Sequence, residues 1–258
     1  MNGDRLTTTT FSGPVKGREE NGIIAFRGIR YGAPPTGADR FKPSRRPQPW
    51  TNLHDATEYG ASAMQMSMGL ADAAEASPLK DALAPILPQS GDKARESEDC
   101  LFLNVWTPAI NDGRKRPVMV WLHGGGFAAG SASWPVYNGA ALARNGDVVV
   151  VSINHRLNVF GYLYLGDLAG MEYLQSGNAG MLDIMLAIWW VRDNIAHFGG
   201  DAGNVTVFGE SGGGLKVSTL LACRTHREKR GQSDHPKRAR HTLPLARDGD
   251  RECARDPE

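Results

Sequence analysis

The residues of this chain best suited to chemistry lie in the run Val205-Thr206-Val207-Phe208-Gly209-Glu210-Ser211-Gly212-Gly213-Gly214. A serine among glycines, between a β-branched stretch and the apolar Leu215, Val217, Leu220 and Leu221, predicts a tight turn from strand to helix. Such a turn drives the hydroxyl clear of the sheet, and Ser211 is accordingly the expected nucleophile of an acyl transfer. The helix that opens at the next residue turns free N–H groups toward a developing negative charge. A second glycine run, His123-Gly124-Gly125-Gly126-Phe127, follows the apolar stretch 118–122. Glycines at a strand end let backbone N–H groups face a cleft without Cβ atoms in the way, which suits the oxyanion of a tetrahedral intermediate. Alone, that loop reads as an ordinary turn. Ahead of the serine elbow, it reads as the other half of one site.

Elements that could hold these two turns follow from hydrophobic patterning. Residues 101–106, 118–123 and 147–154 predict strands, and the last two are apolar throughout, as strands covered on both faces are. Met181, Leu182, Ile184, Met185, Ile188, Val191, Ile195 and Phe198 recur at helical spacing over 180–198, and Gly199-Gly200 ends that helix. LTTTTF and GIIAFRGIRYG predict small strands of an N-terminal antiparallel element, with Gly13-Pro14 as the turn signal. Residues 63–98 are rich in Ala, Met and Ser, carry Pro78, Pro85 and Pro88, and predict a long surface excursion. The alternation makes the fold class α/β, with a central, mostly parallel sheet. No internal repeat is present.

Composition narrows the partners. A net charge of +1 over 258 residues gives no reason to expect nucleic acid or an acidic membrane. No stretch reaches the ~18 consecutive apolar residues of a membrane span. The first residues lack the basic start and apolar run of a secretory signal. Cys100, Cys223 and Cys253 are odd in number and not spaced as metal ligands. A reduced, cytoplasmic protein without metal or organic cofactor is the expectation.

Five blocks then carry a family resemblance: AFRGIRYGAPP (25–35), SEDCLFLNVWTP (97–108), VMVWLHGGGFAAGS (118–131), VVVSINHRLNVFGYL (149–163) and the stretch from GNAGMLDIML to VFGESGGG (177–214). Together they cover nearly all of 11–222, and the chain resembles the N-terminal half of a type-B carboxylesterase, the cholinesterase-like branch of the α/β-hydrolases. The resemblance implies Ser211 as nucleophile and small carboxylic esters as substrates. It implies an oxyanion hole from the N–H groups of Gly125, Gly126 and Gly212, and Glu210 as a buried electrostatic support behind the serine. Family members mostly carry Ala where Gly212 stands, a change expected to cost only rigidity. His123 is a structural loop residue in that pattern. His155 replaces the family's Tyr and matches no catalytic position. Secreted members pair the cysteine of EDCL with one upstream, near YGASAMQ; no cysteine stands there, so Cys100 is expected to be a free, buried thiol.

Acyl transfer also needs a base for the hydroxyl proton and an acid to orient that base. The resemblance puts both after the nucleophile, an acid roughly 100 residues on and a histidine near the end of a chain about twice this length, so neither position is expected here. Only 47 residues follow Ser211, and His226, His235 and His241 among them have no expected structure to hold them. Residues 223–258 hold ten Lys/Arg and seven Asp/Glu, no aromatic, and only Leu243 and Leu245 as large aliphatics. That composition predicts a disordered tail, set apart from a folded part over 1–222. Asp234-His235-Pro236-Lys237-Arg238 can be written GAT CAT CCA AAG CGG, which one base later reads Ile-Ile-Gln-Ser-Gly, close to the family's continuation. A shifted reading frame near Ala222 is therefore the expected origin of the tail. Two functions stay open: an ester hydrolase lacking part of its machinery, and a non-catalytic fragment or pseudo-enzyme on the same scaffold.

Overall fold

The computed structural model of the chain describes residues 5–65 and 95–223. Strands β1 (Thr7–Thr10), β2 (Gly13–Lys16), β3 (Arg18–Glu20), β4 (Ile23–Arg30), β5 (His54–Asp55), β6 (Ser62–Ala63), β7 (Glu96–Ser97), β8 (Phe102–Thr107), β9 (Arg116–Leu122), β10 (Val149–Ile153) and β11 (Gly200–Gly209) alternate, in the second half, with helices. These are α1 (Ala140–Gly146), α2 (Asn158–Tyr162), α3 (Gly166–Ala169), α4 (Ala179–Asn194) and α5 (Gly212–Ala222). The central sheet runs β11-β9-β10-β8-β4-β3. The predicted helix over 180–198 is α4, which tightens into a 3-10 turn over Ile195–Phe198 before Gly199 turns the chain at φ 77°.

The β10 strand shows why apolar runs make central strands. Each of its five residues is buried, because β9 and β8 flank it and helices cover both faces. On one face Val118, Val120 and Val151 pack with Ile184, Ala187 and Val191 of α4. On the other, Ala25, Trp106 and Val150 pack with Ala140 and Ala143 of α1.

Three expectations need correction. Parallel pairing joins β9 to β10 and β11, whereas β10–β8, β8–β4 and β4–β3 are antiparallel, so the sheet of the described residues is mixed. Short connections such as Asn21-Gly22 between β3 and β4 permit only antiparallel neighbours; the parallel strands are linked by helical crossovers. The stretch GIIAFRGIRYG supplies β4 of this sheet, not a partner for LTTTTF. The small antiparallel element pairs β1 with β2, turns at Phe11-Ser12 and places Gly13-Pro14 inside β2, with β5 added alongside. Of the excursion predicted over 63–98, the described ends pair as β6 and β7, and 66–94 lie outside the described residues, as do 224–258 of the tail.

Two family blocks meet across this sheet. The two terminal guanidinium nitrogens of Arg30 on β4 donate to the two carboxylate oxygens of Asp99, at 2.6 and 2.8 Å, and the guanidinium carbon lies 4.5 Å from the centre of the Phe102 ring. Cys100 between them is a free, buried thiol, and burial pushes its pKa well up, so it is not poised to react.

Candidate active site

The elbow forms because β11 runs out at Gly209 while α5 must start three residues later, at Gly212, and lie back on the sheet. Ser211 takes φ 53° and ψ −120°, a conformation that L residues rarely adopt and that surrounding structure must impose. Close packing imposes it: a Cβ on Gly213 would stand 2.0 Å from the Leu122 carbonyl oxygen at the end of β9, so only glycine lets the helix start so near the strand. Ser211 is exposed, and among the described residues its hydroxyl has no hydrogen-bond partner. Its carbonyl accepts from the N–H of Leu215 as the first turn of α5.

Facing the elbow is the glycine loop after β9. Gly125 and Gly126 have φ of 84° and 64°. The Gly125 carbonyl accepts from the N–H groups of Ala128 and Ala129, which closes the loop into a tight turn. The N–H groups of Gly125, Gly126 and Gly212 have no acceptor among the described residues. Loop and elbow touch: a Cβ on Gly212 would lie 2.3 Å from the Gly126 carbonyl oxygen and 2.5 Å from its nitrogen. Gly212 is therefore more than a loss of rigidity in this chain. It is the condition for the loop's close approach.

Glu210 departs from expectation. It is exposed, with its Oε2 set beside Gly124, where a Cβ would come within 2.8 Å of it. Its backbone carbonyl accepts from the N–H of Gly213. The described residues cover the inner side of the turn through β9 and α5 but leave the Glu210 side free, so the carboxylate is not desolvated.

Behind the glycine loop lies a buried polar cluster. His123 and His155 stack face to face, with ring centres 4.9 Å apart and planes 4° from parallel. Their Nδ1 atoms lie 2.9 Å from the carbonyl oxygens of Gly124 and Arg156, respectively, and both Nε2 atoms are buried without a partner. Burial, then the charge of Lys216, depresses the pKa of His123 to about 3, and the same causes push His155 well down. Both rings are neutral at ordinary pH, and neither is hydrogen-bonded to Ser211.

Sequence reasoning missed Lys216. Its place in GLKVSTLL reads as an ordinary polar position on an apolar helix, but α5 turns it inward and buries it completely. The ammonium donates to the carbonyl oxygens of Gly126, at 2.7 Å, and His123, at 3.2 Å, and lies 5.4 Å from the centre of the Phe127 ring. Burial lowers its pKa to about 8. The signal available in the sequence was a lysine five residues after the serine, at a helix position flanked by Leu215 and Val217.

A second buried pair anchors the loop after β10. Arg156 meets Asp183 of α4 through Nε–Oδ2 at 2.9 Å and Nη2–Oδ1 at 2.7 Å, and its backbone N–H donates to the same carboxylate at 3.0 Å. Its Nη1 donates to the Lys42 carbonyl. Among the described residues, no group of three or more His, Cys, Asp or Glu could hold a metal ion, and no helix is long and apolar enough to cross a membrane.

The chain that carries this elbow and glycine loop is similar to known proteins. The profile of the Carboxylesterase family matches residues 4–232. The para-nitrobenzyl esterase of Bacillus subtilis (strain 168) is 44% identical over 214 residues, which are 83% of this chain and 40% of that protein. The acetylcholinesterase of Electrophorus electricus is 39% identical over 232 residues, 87% of this chain and 34% of that one. Among solved structures, the Geobacillus stearothermophilus carboxylesterase EST55 superposes with a TM-score of 0.73 at 43% identity, over 85% of this chain and 40% of its own. The chain thus spans 34–40% of the length of these relatives. Its fold is that of the corresponding part of an α/β-hydrolase domain, and the chain belongs to the carboxylesterase family.

Proposed function

We propose that Ser211 is the nucleophile of a carboxylic-ester hydrolase and that Gly125, Gly126 and Gly212 bind the oxyanion. The observation that carries this reading is the set of three unaccepted N–H donors around one exposed serine hydroxyl. The hydroxyl oxygen attacks the ester carbonyl and gives its proton to solvent water, the carbonyl oxygen takes up negative charge toward the glycine N–H groups, and collapse breaks the ester C–O bond, the leaving oxygen taking a proton from water to depart as the alcohol and leave an acyl-serine. A second water then attacks the acyl group, which departs as the carboxylic acid and restores the serine hydroxyl. Glu210 contributes negative charge beside Gly124, a supporting role next to the serine. Substrates are small carboxylic esters.

The base for this cycle is not among the described residues. His123 and His155 are held neutral, turned to backbone carbonyls, and stacked behind the loop. The described residues therefore support ester hydrolysis only through oxyanion donors and binding, at most ~10³–10⁴-fold over water. Purified chain is assayed with p-nitrophenyl butyrate beside Ser211→Ala. Slow hydrolysis that disappears in the variant is the expected result. Equal rates in both proteins defeat Ser211 as nucleophile, and rates of an ordinary esterase defeat the missing base.

One observation favours a second reading, a non-catalytic scaffold: the Ser211 hydroxyl has no hydrogen-bond partner to activate it among the described residues. Total lack of Ser211-dependent hydrolysis selects it.

A further inference from the structure

We propose that Lys216 is a positioning residue of the oxyanion site: its ammonium, buried beneath the glycine loop, clamps Gly126 against the elbow and fixes a positive charge behind the donors. The inference rests on the reading of Ser211 and the glycine N–H groups given above. A buried ammonium is costly to maintain, and it persists only where its donors are well used. Here two of its three N–H bonds go to carbonyls of the same loop, one at its first residue, His123, and one at Gly126. Both contacts tie α5 to the loop that leaves β9, and together they define where that loop sits.

Geometry at the elbow agrees independently. The Gly126 carbonyl oxygen that takes the 2.7 Å bond from Lys216 is the atom that a Cβ on Gly212 would approach to 2.3 Å. The lysine draws the loop inward, and the absence of a side chain at 212 gives it room. The two residues act as one device: the clamp from below and the gap above. With the Gly126 carbonyl held downward, its peptide plane is fixed, and the loop is preorganised before any oxyanion forms.

Charge acts with position. Salt screens little at this depth, so an ammonium one carbonyl away stabilises a negative tetrahedral oxygen through the loop. The titratable groups around it leave that charge uncompensated. His123 from the end of β9 and His155 from the end of β10 are neutral, and their pKa values are themselves lowered by it. On α4, Asp183 is taken by Arg156. At the elbow, Glu210 is exposed beside Gly124 and makes no ion pair with Lys216. The amine loses its charge as pH rises through about 8, and this gives the device a signature.

Ser211-dependent hydrolysis of p-nitrophenyl butyrate by the 258-residue protein is measured from pH 6.5 to 10, with Ser211→Ala subtracted, for wild type, Lys216→Met and Lys216→Gln. At pH 7 wild type is expected to exceed Lys216→Met roughly 10- to 100-fold, with Lys216→Gln between them because it keeps a donor without the charge. The wild-type to Met ratio is expected to shrink as pH rises past about 8, since serine ionisation affects both proteins alike. Should the Met and Gln proteins fail to fold, Lys216→Arg carries the test: it keeps its charge, so its rate relative to wild type climbs above pH 8. A ratio near one at pH 7, a loss independent of pH, or an Arg-to-wild-type ratio flat across pH 8 overturns the proposal. If wild type and Ser211→Ala are equal at every pH, the Ser211 reading fails and takes this inference with it. A Ser211-dependent rate untouched by Lys216 substitutions defeats the clamp alone.

Discussion

Two buried polar clusters flank the loop after β10, and they are built on opposite plans. In the Arg156–Asp183 pair, donors and acceptors are matched: two side-chain bonds, a backbone N–H to the same carboxylate, and Nη1 to the Lys42 carbonyl. In the Lys216–His123–His155 cluster, the cation has carbonyls but no counter-ion, and two imidazole nitrogens are buried without a partner. Matched burial holds elements together. Unmatched burial costs stability, and it is tolerated where something other than stability is served. The first cluster ties α4 to the loop that leads to α2; the second lies directly under the proposed oxyanion donors.

The comparison can be broken or sharpened by experiment, beginning with the largest effect. Asp183→Ala leaves the Arg156 charge buried and unpaired, and we expect a loss of about 3–5 kcal/mol in urea unfolding. A cost below ~1 kcal/mol would mean that the matched pair is not the anchor described.

The histidine cluster predicts acid sensitivity. In the unfolded chain both rings gain protons below about pH 6.5, whereas folded His123 gains one only near pH 3. The unfolded state therefore binds more protons in this window, and stability present above 6.5 is lost at up to about 1.4 kcal/mol per pH unit for each ring as pH falls. Lys216 acts in a separate, higher window: its folded pKa of about 8 lies under the ordinary 10.5, so stability falls as pH drops from about 10.5 to about 8. Unfolding free energies at pH 10, 8, 7 and 5 check both, with a plateau expected between 8 and 6.5. A slope unchanged by His123→Asn between pH 6 and 5 would clear the imidazole of the role.

Gly212→Ala comes next. Its methyl has no room against Gly126, so the loop must shift, at about 1–3 kcal/mol and with slower residual hydrolysis. Unchanged stability and rate would show that the loop yields freely and that the clamp is slack. Arg30→Ala is the smallest effect, about 1 kcal/mol or less, because the Arg30–Asp99 pair is partly solvated. A larger loss would show the ring contact with Phe102 to matter more than the ion pair.

Legibility in the sequence followed the kind of interaction involved. β9, β10 and α4 were readable because burial on both faces of a sheet leaves apolar runs, and α4 repeats its apolar residues at helical spacing. The elbow was readable because only glycine allows the contacts at 212 and 213, and composition records that need directly. The place of β4 was not: a largely buried strand does not say whether its partner is β1 or the distant β8. Glu210 was expected buried and is exposed, because burial depends on what covers a residue, not on the residue.

By itself, the sequence determined the family, the α/β pattern, the position of the nucleophile elbow and the glycine loop ahead of it. Each follows from local spacing and backbone freedom, which neighbours along the chain largely decide. Only the tertiary structure decided that His155 stacks on His123, that Arg156 meets Asp183, and that Lys216 reaches under Gly126. Those pairs lie 32, 27 and 90 residues apart, and a lysine on an apolar helix carries no mark of the carbonyls it will meet. Long-range contact depends on how strands and helices stack, and that is set by the whole core at once.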